Sequence, residues 1–181
     1  SQVVEHEPGH VHALVRAAAA FDDERRFLAR LDHPNIARLI DGGVTEDGLP
    51  WLVMDYVQGP TLKSRLKTER RLSPKVACEI AAGVASALHA AHSIGLVHRD
   101  LKPSNIILAE DARGVRPVVI DLGLVKAFVD EPDAEDVTAS HMMIGTPAYM
   151  SPENVLGHSV DGRSDLYALG ILVYEMLTGG R

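Results

Sequence analysis

The residues His98-Arg99-Asp100-Leu101-Lys102-Pro103-Ser104-Asn105 set what kind of domain this chain forms. They place a carboxylate, an ammonium group and a side-chain amide within six residues. Short apolar runs flank them, Leu96–His98 before and Ile106–Leu108 after, so the expected setting is strand, loop, strand. Phosphoryl transfer needs such a set. A base orients the incoming hydroxyl, a cation neutralises the moving phosphoryl, and an amide oxygen helps to hold Mg²⁺. An Asp and an Asn alone would read as a polar loop whose side chains satisfy the turn backbone. The complete octet argues against that plainer account.

Downstream, Asp121-Leu122-Gly123 stands thirteen residues beyond Leu108, behind a strand expected at Val118–Ile120. A carboxylate at a strand end next to glycine can lean into a cleft and bind a metal. In isolation it would read as a turn; behind the octet it becomes the second metal ligand. Leu122–Glu153 is long and lacks clear periodicity, and a loop of that length is usually functional or mobile. It closes on Gly145-Thr146-Pro147-Ala148-Tyr149-Met150-Ser151-Pro152-Glu153. Asp165–Leu177 is expected as a helix apolar on most faces, hence central.

Upstream, the run Ala17–Ala20 with Phe27, Leu28 and Leu31 predicts a helix over roughly His12–Leu31. Asp32-His33-Pro34-Asn35 ends it, because the residue before proline is pushed out of the helical region. Strands are expected at Ile36–Ile40 and Trp51–Tyr56, joined by a turn rich in Gly and Asp. Gly59-Pro60 marks a break. Ser73-Pro74 signals a helix start, with the hydroxyl as cap and proline in the first turn. Val76, Ile80, Val84 and Leu88 make one apolar stripe along that helix, which stops at Gly95. The order predicts an α+β fold with two lobes.

Composition narrows the classes. The 181 residues carry 18 Lys plus Arg and 25 Asp plus Glu, a formal net charge of −7, so no nucleic-acid footprint is expected. The longest strongly apolar stretch, Leu166–Leu177, has 12 residues and includes Glu175, against the roughly 20 that a membrane span needs. Ser1–His10 has no basic start followed by an apolar run, so no secretory signal is expected. The single cysteine, Cys78, cannot form an internal disulfide, which fits a reducing compartment, and it is expected as a small buried residue on a helix.

These segments, in this order, resemble the protein kinase family, specifically the bacterial eukaryotic-like (Hanks-type) Ser/Thr kinases, here truncated at both ends. His-Arg-Asp, Asp-Leu-Gly and Ser-Pro-Glu stand where the family has its catalytic loop, metal loop and Ala-Pro-Glu. His33-Pro34-Asn35-Ile36, Leu52–Val57 and Asp165–Gly170 also match family segments, so that the likeness covers nearly all of residues 24–179. Lys102, two residues after Asp100, points to Ser/Thr specificity. The resemblance implies a two-lobed kinase-like fold. Residues 1–57 would be a partial N-lobe with helix C and strands 4 and 5, and residues 58–181 a mostly helical C-lobe lacking its last helices.

It also implies roles. Asp100 would orient the substrate hydroxyl, Lys102 would touch the γ-phosphate, Asn105 and Asp121 would hold Mg²⁺, and Thr146 would bridge Asp100 and Lys102. Met54 would be the gatekeeper, with the backbone of Asp55 and Val57 meeting adenine and Ile107 beneath it. Leu28, Leu39, His98 and Leu122 would stack as a regulatory spine anchored by Asp165. Arg99 would await a phosphate on the long loop, which offers Thr138 and Ser140. The implied partners are ATP with Mg²⁺, a protein Ser/Thr substrate, and a second kinase copy for trans-phosphorylation. The implied location is cytoplasmic, with the full-length protein open to tethering at the inner membrane.

Two family features are missing. Residues 1–23 hold one glycine, Gly9, where a Gly-rich loop should precede, and the first lysine is Lys63, well past Glu24, the position of the helix-C glutamate. Gln2 falls at the lysine's place by spacing, and Glu153 would lack its usual arginine. The chain alone is therefore expected to be a weak or inactive kinase. The alternative is a pseudokinase-type binding or scaffold module, disfavoured by the intact Asp100, Lys102, Asn105 and Asp121.

Overall fold

Pairing between apolar strands builds the first layer. The computed structural model describes residues 3–5, 10–14, 31–45, 50–111, 114–122 and 147–180. Strands β1 (Val3–Glu5), β2 (His10–Leu14), β3 (Leu39–Val44) and β4 (Pro50–Asp55) form an antiparallel sheet in the order β1-β2-β4-β3. Met54, on the interior strand β4, lies opposite Val11 of β2 and Leu39 of β3.

The helix expected from His12 is corrected at both ends. His12–Leu14 belong to β2, where the partner residues Trp51–Val53 of β4 override the alanine-rich context, and Leu31 lies outside any helix. The span between, with Glu24 and Leu28, lies outside the described residues. Gln2 also lies outside them, and the strand adjoining Met54 is β2, with Val3–Glu5 one strand further out. The first hairpin shifts as well. Asp41-Gly42-Gly43 runs inside β3, after a bulge between Leu39 and Asp41, instead of forming the turn. Gly43 is admitted there because a Cβ would come within 2.9 Å of the Trp51 ring.

Helices form the second layer. Thr61 caps α1 (Leu62–Glu69) by accepting the Ser64 N–H at 3.1 Å. Ser73 caps α2 (Pro74–Ser93), with proline in the first turn. Ile80, Val84 and Leu88 of the expected stripe are buried, and Val76 packs at its rim. Cys78 lies on α2 but is exposed, on the face away from that stripe. Asp161 caps α4 (Gly162–Thr178), which follows the single-turn helix α3 (Pro152–Val155). The hairpin of β5 (Ile106–Asp111) and β6 (Gly114–Val119) packs on α2, and α2 packs on α4. Each fully buried Leu in this core, such as Leu88 or Leu172, contributes about 1.5–3 kcal/mol.

Helix α4 is less enclosed than its sequence suggests. One stripe, Ser164, Asp165, Ala168, Leu172 and Met176, is buried, while Leu166, Tyr167, Tyr174 and Leu177 are exposed. No described helix is long and apolar enough to cross a membrane. The strand expected at Leu96–His98 does not form either, because its backbone bonds go elsewhere: the Leu96 N–H to the Ala91 carbonyl and the His98 N–H to Asp165.

Residues 33–37 stitch the sheet to the helical part. The Ala37 N–H donates to the Val119 carbonyl at 2.9 Å, the Val119 N–H to the Asn35 carbonyl at 2.8 Å, and the Asn35 side-chain amide to the Pro117 carbonyl at 2.7 Å. Gly83 of α2 lets this turn approach, since a Cβ there would sit 2.4 Å from the Pro117 ring.

Candidate active site

Backbone geometry makes the catalytic candidate a tight, strained turn. Arg99 has φ of 62°, a left-handed conformation uncommon for a residue with a Cβ, and it persists only where surroundings hold it. The holding group is Asp165, 2 % exposed, near the start of α4. Its carboxylate accepts the His98 N–H at 2.8 Å through Oδ2 and the Arg99 N–H at 2.9 Å through Oδ1. Beyond it, the Asp100 N–H donates to the His98 carbonyl at 2.8 Å.

Proline then fixes the exit. Pro103 opens a 3-10 turn through Asn105, closed by the Asn105 N–H on the Lys102 carbonyl at 2.9 Å. That turn folds Lys102 and Asn105 back onto Asp100. Lys102 Nζ lies 2.5 Å from Asp100 Oδ2, and the Asn105 side-chain amide donates to the Asp100 carbonyl at 3.0 Å. The Ile120 N–H donates to the Asn105 carbonyl at 3.0 Å, which brings the following Asp121 beside the same turn.

The donor set suits a hard divalent cation. Because the Asn105 amide nitrogen is engaged by Asp100, its Oδ1 faces the other way and, among the described residues, meets only the Ser104 hydroxyl, at a long 3.3 Å. Asp121 is exposed, has φ of 60°, and its carboxylate has no bonding partner among the described residues. Two oxygen ligands plus waters and phosphate oxygens are what Mg²⁺ takes. Residues Asn105 and Asp121 therefore fit Mg²⁺.

On the sheet side, Leu31, Ile36, Ala37, Leu39, Met54, Val119, Asp121 and Leu122 line one small cavity. It brings together Met54, Asp121 and two of the spine candidates, Leu39 and Leu122. His98 is fully buried, and neither ring nitrogen has a hydrogen-bond partner among the described residues. Asp55 follows Met54, its N–H taken by the Arg38 carbonyl at 2.9 Å. Val57 packs against Ala37, Ala109 and Val118, and Ile107 forms a bridge with Thr61. Thr146, Thr138 and Ser140 lie outside the described residues.

A second small cavity is lined by Arg99, Asp100, Tyr149, Met150, Ser151, Asn154 and Ser164, among others, and joins the catalytic turn to the end of the long loop. Here Glu153, expected to lack its usual arginine, is held by serine hydroxyls instead. Ser164 donates its hydroxyl to Glu153, and Ser151 donates to Ser164 at 2.9 Å. The Ser164 hydroxyl first, then a backbone N–H and the Ser151 hydroxyl, hold the Glu153 carboxyl below its ordinary value, against the opposing effect of burial. Tyr149, buried, donates its hydroxyl to Glu175 of α4.

Sequence reasoning missed Ser164, the Tyr149–Glu175 bond and His92, which lies 2.7 Å from Asp165. Glu175 carried a signal, as the single charge in the apolar stretch Leu166–Leu177. Ser164 and His92 carried none, since their partners lie 11 and 73 residues away.

Comparison with known proteins identifies the family. The family profile described as the protein kinase domain matches residues 11–181. The chain is 41% identical over 162 residues to the serine/threonine-protein kinase PknB of Mycobacterium tuberculosis, covering 88% of this chain and 25% of the relative. It is 40% identical to pkn3 of Myxococcus xanthus over 167 residues, 91% of this chain and 30% of the relative. It is 41% identical to PkaA of Streptomyces coelicolor over 156 residues, 86% of this chain and 28% of the relative. Both of these are also named serine/threonine-protein kinases. The chain belongs to the protein kinase family, and these curated relatives are bacterial Ser/Thr kinases. It spans between a quarter and a third of their length.

Proposed function

We propose that the protein transfers the γ-phosphoryl group of ATP to serine or threonine hydroxyls of protein substrates, with Asp100 at the centre of the reaction. The observation that carries this is the convergence on one turn of Lys102 at 2.5 Å and Asn105 at 3.0 Å from Asp100, with Asp121 adjoining.

In this mechanism the Asp100 carboxylate accepts a hydrogen bond from the substrate hydroxyl and aims its oxygen at the γ-phosphorus. The new O–P bond forms as the bond to the β-phosphate oxygen breaks, and the hydroxyl proton passes to Asp100. Lys102, a flexible cation already beside Asp100, shifts onto the γ-phosphate and offsets the charge spread over its oxygens. Asn105 and Asp121 would hold Mg²⁺, which when bound supplies neutralisation of phosphate charge. Positioning of this kind accounts for most of the rate in phosphoryl transfer, since the protein performs little covalent chemistry. The Asp55–Val57 backbone and Ile107 would receive the adenine ring.

The test is incubation of the full-length protein with Mg²⁺-ATP and a mixed protein substrate, followed by phosphoamino-acid analysis. Phosphoserine and phosphothreonine support the proposal. Phosphotyrosine alone, or transfer only to small molecules, would displace it.

A further inference from the structure

Between the sheet and the helical part, the chain leaves β4 at Asp55 and runs without helix or strand to Pro60, ahead of α1. Such a connection is free to move unless its backbone is tied down. This one is tied to β5. The Leu108 N–H donates to the Pro60 carbonyl at 2.8 Å, and Thr61 pairs with Ile107 in an antiparallel bridge. One residue earlier, Gly59 lies against the same strand with φ of 151°, a conformation that side-chain-bearing residues rarely adopt. A Cβ there would stand 2.2 Å from the Leu108 carbonyl oxygen and 2.8 Å from its carbon. Both are backbone atoms, so no side-chain rotation relieves the contact. Glycine alone fits.

What β5 presents beside this contact is Ile107. Ile106 and Leu108 are buried in the core, and strand alternation turns Ile107 to the opposite face, where it is only half-buried. At the other end of the connection, Val57 packs on Ala109 of β5 and Val118 of β6. Val57, Gly59, Pro60 and Thr61 thus all rest on one hairpin, which gives the Asp55–Val57 backbone and Ile107 a single spacing. Gly114, on the same hairpin, makes the contrast. Its φ is 115°, yet a Cβ there would meet nothing within 4 Å, so that glycine serves the turn and no close approach.

We propose that Gly59 is a positioning residue for the nucleotide: by letting the connection lie directly on the backbone of β5, it fixes the Asp55–Val57 edge against the Ile107 floor of the adenine slot. This rests on the reading of Asp55–Val57 and Ile107 as the adenine contacts. A side chain at 59 pushes the connection off Leu108 and takes the Pro60 carbonyl with it. The edge that meets adenine then moves relative to the floor beneath it, and the ring can satisfy one but not both. Asp100, Lys102 and Asn105 stand on the far side of the 3-10 turn and keep their geometry, so the loss falls on binding and not on the transfer step.

The test uses the full-length protein and three variants, Gly59→Ala, Pro60→Gly and Gly114→Ala. The first adds the methyl group that clashes with Leu108, the second frees the connection without a clash, and the third adds the same methyl to open space at a positive φ. The readouts are calorimetric affinity for Mg²⁺-ADP, which undergoes no transfer, kcat at saturating ATP, and hydrogen exchange at the Leu108 amide. Gly59→Ala is expected to weaken Mg²⁺-ADP binding by at least about tenfold, to leave kcat within about twofold, and to raise exchange at Leu108. Pro60→Gly is expected to do the same to a smaller degree, about two- to fivefold in affinity, and it decides the matter if Gly59→Ala does not fold. Gly114→Ala is expected to bind as wild type does. Unchanged affinity in folded Gly59→Ala and in Pro60→Gly overturns the proposal, as does an equal loss in Gly114→Ala. A folded wild-type protein that binds no Mg²⁺-ADP at all would instead remove the adenine reading, and the proposal with it.

Discussion

Lys102 reaches back across two residues to place its ammonium group 2.5 Å from the Asp100 carboxylate, with the side chains 23% and 29% exposed. Water still reaches both, so the pair contributes little to stability, and its value lies in where it parks a cation. Replacing Lys102 with methionine is expected to leave the thermal midpoint within a degree or two of wild type and to lower kcat about 10²- to 10³-fold. Scanning calorimetry beside steady-state kinetics checks both halves. A large loss of stability would show that the pair is structural.

Asn105 has two duties in the proposed mechanism, since its nitrogen bonds the Asp100 carbonyl while its oxygen would take the metal. Asn105→Ala is expected to raise the Mg²⁺ concentration for half-maximal rate by at least about tenfold. Asp121→Asn is expected to do the same with little effect on folding, because Asp121 is exposed. A Mg²⁺ titration of initial rate decides this for each variant.

Asp165 is different, because its carboxylate is buried and serves two backbone amides and His92. Asp165→Ala leaves three donors without an acceptor and is expected to cost about 3 kcal/mol or more of folding free energy. Urea denaturation of the purified full-length protein measures it. A loss under about 1 kcal/mol would mean that water replaces the carboxylate without difficulty.

Glu153 ties the end of the long loop to α4 through Ser164 and Ser151. Its carboxyl is held below the ordinary value of 4.5, so the folded state favours the ionised form. The stabilisation from this shift is present above that value and is lost as pH falls through the lower, folded one. Wild type is expected to exceed Glu153→Gln in stability at pH 7, with the gap closing as pH drops below about 4. Paired denaturation curves across that range test the sign. A gap that widens on acidification would contradict it.

The helical part was legible where its signals are local. Ser73-Pro74 announced α2 and the four-residue stripe gave its buried face, because cap and periodicity lie within the helix itself. The catalytic turn was legible because eight consecutive residues carry it. Long-range contributions were hidden. His12–Leu14 reads as the start of a helix until β4 pairs with it, and Gly42-Gly43 reads as a turn until the Trp51 ring explains the glycine. The bond from Ser164 to Glu153 was hidden because Ser164 has no pattern that marks it as a partner. Cys78 shows the limit of residue-type averages, since which face of α2 it occupies was fixed by its neighbours and places it outward.

The central claim is that Asp100 performs the transfer, and the rate of phosphate transfer by full-length Asp100→Asn protein tests it most directly. Asparagine keeps the shape and the neighbours of Asp100 but cannot take the hydroxyl proton. The variant is expected to fold with wild-type stability, to bind Mg²⁺-ATP as wild type does, and to transfer phosphate at least about 10²-fold more slowly. Transfer at the wild-type rate by a folded, nucleotide-binding Asp100→Asn protein would contradict the account.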